Sequence, residues 1–175
     1  MIDIISDPII KATKILDSEQ YSVRRPFSHY LAHSQTVYEK GPALAKIISK
    51  ARKNMKYRTK MKQSEITMHQ YSLDDFLSEM QRYEKLHDKF IFEQYRQLFA
   101  SNALEFFVKL KGGFLQPPSY MGRYLKKLDP KIAKLLMRLQ LSSNTRMQLK
   151  QAQKLFTDLN RLAGHKLCGD IKLRP

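Results

Sequence analysis

Apolar side chains recur every three or four residues over a long central stretch, and this periodicity constrains the fold more than any other feature of the chain. The positions are Phe76, Leu77, Met80, Tyr83, His87, Phe90, Ile91, Tyr95 and Leu98. A repeat close to 3.6 residues places such side chains on one side of an α-helix. We therefore predict a long helix that starts at Ser72, bends or breaks near residues 100–102, and continues to Lys111.

Shorter helices are predicted on both sides of this segment. Proline suits a first helical position and an oxygen-bearing side chain suits the position before it, so Pro8, Pro26, Pro42 and Pro130 indicate helix starts. A further helix is expected from about Ser119, and Ser142 or Ser143 would cap a last one that ends at Gly164. No convincing strand is found. The predicted fold is all-α, with a helical hairpin core, short flanking helices and a basic N-terminal arm.

The same pattern suggests three regions. Residues 1–70 would form an N-terminal helical part with a basic arm, in which residues 54–70 are an exposed linker or a frayed helix end. Residues 71–164 would form the helical core, where subunits would also associate, and residues 165–175 a short basic tail.

The charge is large and uneven. The chain carries 32 Lys and Arg against 16 Asp and Glu, a net charge of +16, which favours a polyanionic partner such as nucleic acid. Residues 71–110 are net −2, while residues 46–62 hold eight basic residues and no acid. Because buried unpaired charge is costly, the near-neutral middle suits a subunit interface.

Two groups of basic residues are candidate nucleic-acid contacts. The first is a dense run whose alternative interpretation is a solvated arm: Lys46, Lys50, Arg52, Lys53, Lys56, Arg58, Lys60 and Lys62. Met55, Tyr57 and Met61 lie between these cations and could stack on bases. The second lies on the polar sides of later helices, where a solvated face is the alternative: Arg123, Lys127, Arg146 and Lys150. Arg146 could pair with a carboxylate or a phosphate.

Catalytic and metal-binding patterns are absent from the sequence. There is no phosphate-binding Gly-rich loop and no carboxylate cluster typical of a nuclease. His29 and His33 have the i, i+4 spacing of two metal ligands, but no third ligand type lies nearby, so we interpret them as structural or surface residues. His87 is expected in the interior, and Cys168 has no base beside it. We predict no enzyme activity, no metal and no cofactor.

Two short stretches carry a family resemblance that covers roughly residues 72–150. Residues 113–120, Gly-Phe-Leu-Gln-Pro-Pro-Ser-Tyr, and residues 141–146, Leu-Ser-Ser-Asn-Thr-Arg, occur in that order at a characteristic separation. The chain in this region resembles the P27-type small subunit of tailed-phage terminases. Leu141, Ser142, Thr145 and Arg146 match the signature that opens the last helix of that family, whereas Gln140 and Ser143 replace its usual Gly and Pro.

The resemblance implies a function without catalysis. Such a subunit assembles as a homo-oligomeric ring, binds double-stranded viral DNA and presents it to the large terminase subunit, which carries the ATPase and nuclease. The implied subunit interface is the 72–110 hairpin, with packing inside and between subunits shared among Phe76, Met80, Tyr83, Phe90, Tyr95 and Leu98. DNA affinity would then fall steeply with salt, and neutralising residues of the 46–62 run would flatten that dependence.

Three other functions remain open. The main alternative is a basic, all-helical subunit of a ribonucleoprotein, either ribosome-associated or the small subunit of a CRISPR effector. A transcriptional regulator or plasmid-mobilisation accessory would need a helix-turn-helix, which residues 22–53 could contain. A peripheral membrane protein is disfavoured because the basic run lacks a bulky apolar face.

The expected compartment is the cytoplasm, that of the host cell if the protein is viral. No apolar run approaches the roughly 20 residues of a membrane span, and the first residues carry acids where a signal peptide carries Lys or Arg. The single cysteine excludes an internal disulfide and a cysteine-based zinc site.

Overall fold

The computed structural model describes residues 9–36, 41–58 and 60–164, and the all-α prediction is confirmed over them. These residues contain no strand. They form eight helices: α1 Ile9–Glu19, α2 Pro26–His33, α3 Ala43–Lys56, α4 Gln63–Lys85, α5 Lys89–Leu110, α6 Pro118–Leu128, α7 Pro130–Leu141 and α8 Thr145–Ala163.

The chain divides into two compact units. Among the described residues, the N-terminal unit comprises residues 9–36, 41–58 and 113–117, and the C-terminal unit comprises residues 60–112 and 118–164. Helix α4 runs across residue 70, where the sequence analysis places a regional boundary. The predicted tail, residues 165–175, lies outside the described residues.

The N-terminal unit is a three-helix cluster of α1, α2 and α3. Its core holds Ala12 and Leu16 of α1 against Ile47 and Ala51 of α3, and α2 packs Phe27, Leu31 and Ala32 on top. Residues 113–117 are an extended segment that contacts this unit, and the Leu115 N–H donates to the Val23 carbonyl at 2.8 Å. Helix α2 starts at Pro26 as predicted and ends at His33.

The C-terminal unit is built on α4 and α5, which pack along each other, and α8 packs on both. Helix α7 packs on α8, and α6 on α7. Aromatic side chains of α5 fill the interior, because Phe92, Phe99, Phe106 and Phe107 are fully buried. Several predicted helix boundaries are confirmed here. Helix α7 begins at Pro130, and the Asp129 carboxylate caps it by accepting from the N–H groups of residues 131 and 132. Gly112 and Gly164, both with a left-handed, positive φ, follow the ends of α5 and α8.

The prediction for the break in the long helical segment is wrong. The chain turns at residues 86–88 and stays helical through residues 100–102. At the turn, His87 adopts a positive φ of 57°, and the Asp88 carboxylate accepts from the Ile91 N–H at 3.1 Å to cap α5. Ala100 is buried inside α5, where a strong helix former favours continuation. His87, predicted to be interior, is therefore an exposed turn residue.

The predicted start of that segment at Ser72 is also wrong, because α4 begins at Gln63. The Glu65 carboxylate accepts from the Lys62 N–H at 2.8 Å, which satisfies a backbone donor at the helix start. Residues 63–70, predicted to be linker or frayed helix, are thus a regular part of α4. Ser72 lies two turns inside the helix and has no capping role.

Candidate nucleic-acid interface

Helix α3 is amphipathic, with apolar and basic residues on opposite sides. Ile47, Ile48 and Ala51 are buried against the rest of the N-terminal unit. Lys46, Lys50, Lys53 and Lys56 follow one another at spacings of four, three and three residues, which aligns them along the outer side. The first part of the predicted basic arm is therefore a packed helix, in agreement with the helix start that Pro42 indicates. We use the name basic face of α3 for its outer side, which includes Arg52, together with Arg58 just after the end of the helix.

Most cations of this face have no acidic neighbour. Lys46, Arg52, Lys53, Lys56 and Arg58 are exposed and make no ion pair with the described residues. Arg52 makes a long hydrogen bond to a backbone carbonyl, from Nε to the Ala32 oxygen at 3.5 Å. The exception is Lys50, whose ammonium lies 2.5 Å from the Asp17 carboxylate of α1. The face therefore concentrates positive charge over about 15 Å of helix at 1.5 Å per residue.

A buried polar network fixes α3 to the rest of the unit. Asn54 is 3% exposed, and its Nδ2 donates to the Leu16 carbonyl at 2.7 Å and to the Ser28 hydroxyl at 3.1 Å. The Glu19 carboxylate accepts from the backbone N–H groups of Phe27 and Ser28, at the N-terminus of α2, where the helix dipole favours a negative charge. One amide thus ties all three helices together and orients the basic face.

Arg25 adds a buried cation to this network, at the end of α3. Its side chain is buried, with Nε donating to the Ser22 carbonyl at 2.8 Å and one terminal nitrogen donating to the carbonyls of Asn54 and Tyr57. The guanidinium also lies 5.0 Å from the centre of the Phe114 ring. Because the last turn of a helix leaves carbonyls without partners, a cation here stabilises the end of α3.

An aromatic pair stands at the end of the basic face. The rings of Tyr21 and Tyr57 meet edge to face with centroids 5.6 Å apart, and the two residues are 70% and 41% exposed. The sequence indicates Tyr57, which lies among cations, but it does not indicate Tyr21, because 36 positions separate the two residues. Exposed aromatic rings beside cations can stack on nucleotide bases.

The remaining cations of the 46–62 run belong to the C-terminal unit. Lys60 and Lys62 are exposed and precede α4, so the run is divided between the two units. Tyr57 and Arg58 follow the end of α3, and the described residues 60–62 are not helical either.

The second group of predicted contacts is spread over two helices of the C-terminal unit. Arg123 and Lys127 are exposed one turn apart on α6, and Lys150 is exposed on α8. Arg146 forms an ion pair, from Nε to a Glu84 oxygen at 3.2 Å. Its side chain is 84% exposed, and such a surface pair contributes little to stability.

The predicted interface residues of α4 and α5 differ in accessibility. Met80 is fully buried within the chain, and Tyr95 packs with Phe76 and Tyr83 at ring distances of 6.5 and 5.7 Å. Phe90 and Leu98 are 73% and 50% exposed. Phe90 and Leu98 therefore keep large accessible apolar surfaces, while the stacked rings stabilise the pairing of α4 with α5.

The two stretches that carry the family resemblance lie in different parts of the structure. Residues 113–117 belong to the N-terminal unit, where Phe114 contacts Arg25, and residues 118–120 begin α6. Residues 141–146 form the turn from α7 to α8, which Asn144 caps by accepting from the Met147 N–H at 3.0 Å. The predicted caps Ser142 and Ser143 are wrong. Asn144 itself stands immediately before the first helical residue, the position that a cap requires.

The histidines form one pair and one polar cluster. The rings of His29 and His33 lie 4.4 Å apart, and partial burial, with the nearby His33 charge, lowers the pKa of His29. His69 lies between Asn102 and Lys109, with its Nδ1 2.8 Å from the amide oxygen and its Nε2 3.3 Å from the ammonium. Among the described residues, no three His, Cys, Asp or Glu side chains converge as metal ligands would. His165 and Cys168 lie outside them.

A search of the described residues for a membrane-spanning helix finds none with the required length and apolar character. Comparison of the chain with protein-family models, with curated proteins and with solved structures gives no match.

Proposed function

We propose that the protein is a non-catalytic subunit that binds double-stranded DNA through the basic face of α3. The observation that carries this proposal is the row of exposed cations at residues 46, 53, 56 and 58, which no acid among the described residues neutralises. Gathering like charges on one rigid helix and the residues just after it is unfavourable unless an anion binds there. A duplex offers about one phosphate per 1.7 Å of its axis, so several phosphates lie within reach of such a helix.

Binding through this face would depend mainly on the DNA backbone. Lysine ammonium groups are point charges that position a protein on phosphates, whereas base recognition needs side chains such as Asn, Gln or Arg in a groove. The exposed outer side of α3 offers lysines and Arg52, without an amide side chain. Tyr21 and Tyr57 would add contacts at one end of the bound segment.

The larger role that we propose follows the family resemblance of residues 113–120 and 141–146. In this role the protein is the small, DNA-recognising subunit of a phage packaging machine, assembles with copies of itself and hands DNA to a large subunit with the ATPase and nuclease. The exposed Phe90 and Leu98 support self-association, because large accessible apolar side chains favour protein contacts.

The test compares the salt dependence of DNA binding between two variants of equal charge. In the first, Lys46, Lys53, Lys56 and Arg58 are changed to Gln. In the control, the exposed residues Lys14, Lys85, Lys89 and Lys154 are changed to Gln. Affinity for a labelled duplex is measured by fluorescence anisotropy over a range of NaCl concentrations.

Each phosphate contact contributes about 0.9 to the slope of log affinity against log salt, so the first variant should lose up to about 3.6 from the slope. The control should keep the wild-type slope, since only the total charge has changed. Equal slopes for the first variant and the wild type would remove the basic face from the DNA contacts. Tighter binding to RNA than to the duplex at equal salt would favour the ribonucleoprotein alternative.

A further inference from the structure

A second basic surface of the protein is a groove with an apolar floor. It lies between the end of α6, the outer side of α7 and the start of α8, and encloses a cavity of about 840 Å³. Its apolar lining includes Met137, Leu141 and Met147, which are 40%, 78% and 49% exposed. Lys126, Lys134 and Arg138 also line it, and no acidic residue does.

The groove has the dimensions and the chemistry to receive a helix. Along α7, the lining residues recur at positions 130, 134, 137, 138 and 141, which spans about three turns at 3.6 residues per turn. Flexible methionine side chains adapt to the shape of a partner, and helix-binding grooves use them for that purpose. The cations at the rim select a partner helix that carries acids beside its apolar residues.

The outer side of α4 has this composition. Met68 and Tyr71 are 70% and 51% exposed, and Asp74 and Asp75 follow on the same side at i+3 and i+4 from the tyrosine. Neither aspartate makes an ion pair with the described residues. This is also the part of the chain where acids exceed bases, since residues 71–110 are net −2.

Within one chain these two surfaces lie at opposite ends of α8. The first half of α4 lies beside the end of α8, where the Gln70 amide nitrogen donates to the Asn160 amide oxygen at 3.0 Å. The groove uses Met147 and Gln151, near the start of α8. Residues 147 and 160 are about 20 Å apart along a helix, at 1.5 Å per residue. A chain therefore cannot place its own α4 face in its own groove.

We propose that α4 of one copy docks its outer face into the α6–α7–α8 groove of a second copy. Met68 and Tyr71 would cover Met137, Leu141 and Met147, and Asp74 and Asp75 would face Lys134 and Arg138. The contact joins two different surfaces, so a pair of copies keeps one free surface of each kind, and association continues head to tail until a ring closes or a filament grows. The inference rests on the self-association included in the proposed function and names the surfaces that would produce it.

The experiment uses full-length, nuclease-treated protein and measures absolute mass by light scattering after size exclusion. One variant reverses the acidic face by Asp74→Lys and Asp75→Lys, and a second reverses the groove by Lys134→Glu and Arg138→Glu. The wild type should form assemblies of several chains, and each variant alone should remain at the mass of one chain, 20.6 kDa. The control Lys85→Glu, Lys89→Glu changes exposed charges outside both surfaces and should assemble like the wild type.

Mixing the two variants distinguishes this contact from other modes of association. The acidic-face variant retains an intact groove, the groove variant retains an intact acidic face, and the two reversed surfaces also carry opposite charges. The mixture should therefore regain assemblies of several chains in which the two variants alternate. Far-UV circular dichroism checks that each variant is folded.

Two results would overturn the inference in different ways. If the reversals leave the wild-type assembly unchanged, the docking is wrong, and self-association stands through other exposed apolar residues such as Phe90 and Leu98. If the wild type is a monomer at every concentration, self-association fails as well, and the groove is left to an acidic segment of another protein. DNA binding through α3 is judged separately by the salt dependence of the duplex affinity.

Discussion

A fully buried arginine is the residue on which the geometry of the N-terminal unit depends most. Arg25 is 1% exposed, although the chain carries a net charge of +16 and most of its cations are in solvent. Its burial is tolerated because guanidinium nitrogens donate to the carbonyls of Ser22, Asn54 and Tyr57 and the plane lies near the Phe114 ring. The side chain thereby connects the end of α3 to the turn before α2.

We predict that Arg25→Lys lowers the free energy of unfolding by about 2 kcal/mol, because an ammonium cannot reproduce the planar fork and leaves a buried carbonyl without its donor. Arg58→Lys is the matched control, since Arg58 is exposed and its replacement should cost less than about 0.5 kcal/mol. Urea unfolding followed by far-UV circular dichroism measures both. Equal stability of the two variants would show that the fork of Arg25 is dispensable.

At the scale of the secondary-structure elements, helix boundaries depend on single side chains at the first turn. Glu65, Asp88, Asp129 and Asn144 each accept from a backbone N–H at the start of α4, α5, α7 and α8 respectively. Every one of these bonds satisfies a donor that the helix itself leaves free. At α8, the sequence offers Ser142, Ser143 and Asn144 in succession, and only the register of the folded turn selects among them.

We expect Asn144→Ala to destabilise the protein by about 1 kcal/mol, the usual cost of losing an N-cap. Ser143→Ala should change stability by less than about 0.5 kcal/mol, since the Ser143 side chain makes no capping bond. The difference is measured from the urea midpoints of the two variants, with the slope of unfolding free energy against urea concentration unchanged. A larger loss for the serine variant would contradict the assignment of the cap.

At the scale of the whole molecule, the net charge of +16 opposes folding. Repulsion among like charges is stronger in a compact chain than in an unfolded one, and salt reduces it. The screening length falls from about 30 Å at 0.01 M to about 10 Å at 0.1 M salt. Added salt should therefore stabilise the fold of the free protein and, at the same time, weaken its binding to DNA.

We predict that the main thermal transition of the DNA-free protein rises by about 2–4 °C between about 0.01 M and 0.1 M NaCl, which corresponds to about 1 kcal/mol. The variant with Gln at residues 46, 53, 56 and 58 has a formal charge of +12, four less than the wild type's +16, and should show a smaller rise. Differential scanning calorimetry measures both. A transition that falls with salt would mean that attractive ion pairs outweigh the repulsion.

The sequence by itself determined the fold class and the position of most helices. Periodicity identifies a helical face because a helix repeats every 3.6 residues, and Pro26, Pro130, Gly112 and Gly164 act locally, through φ and missing N–H groups. The high density of cations over residues 46–62 is also visible in the sequence alone, since charge is a property of composition.

Tertiary structure decided what depends on distant residues. The long segment turns at His87, where no Gly or Pro indicates a turn, because Asp88 caps α5 and Ala100 is buried inside that helix. The buried roles of Arg25 and Asn54, and the meeting of Tyr21 with Tyr57, join positions about 30 residues apart. The groove beside α7 and the exposed face of α4 likewise arise only when helices pack, because the packing determines which side of each helix remains uncovered.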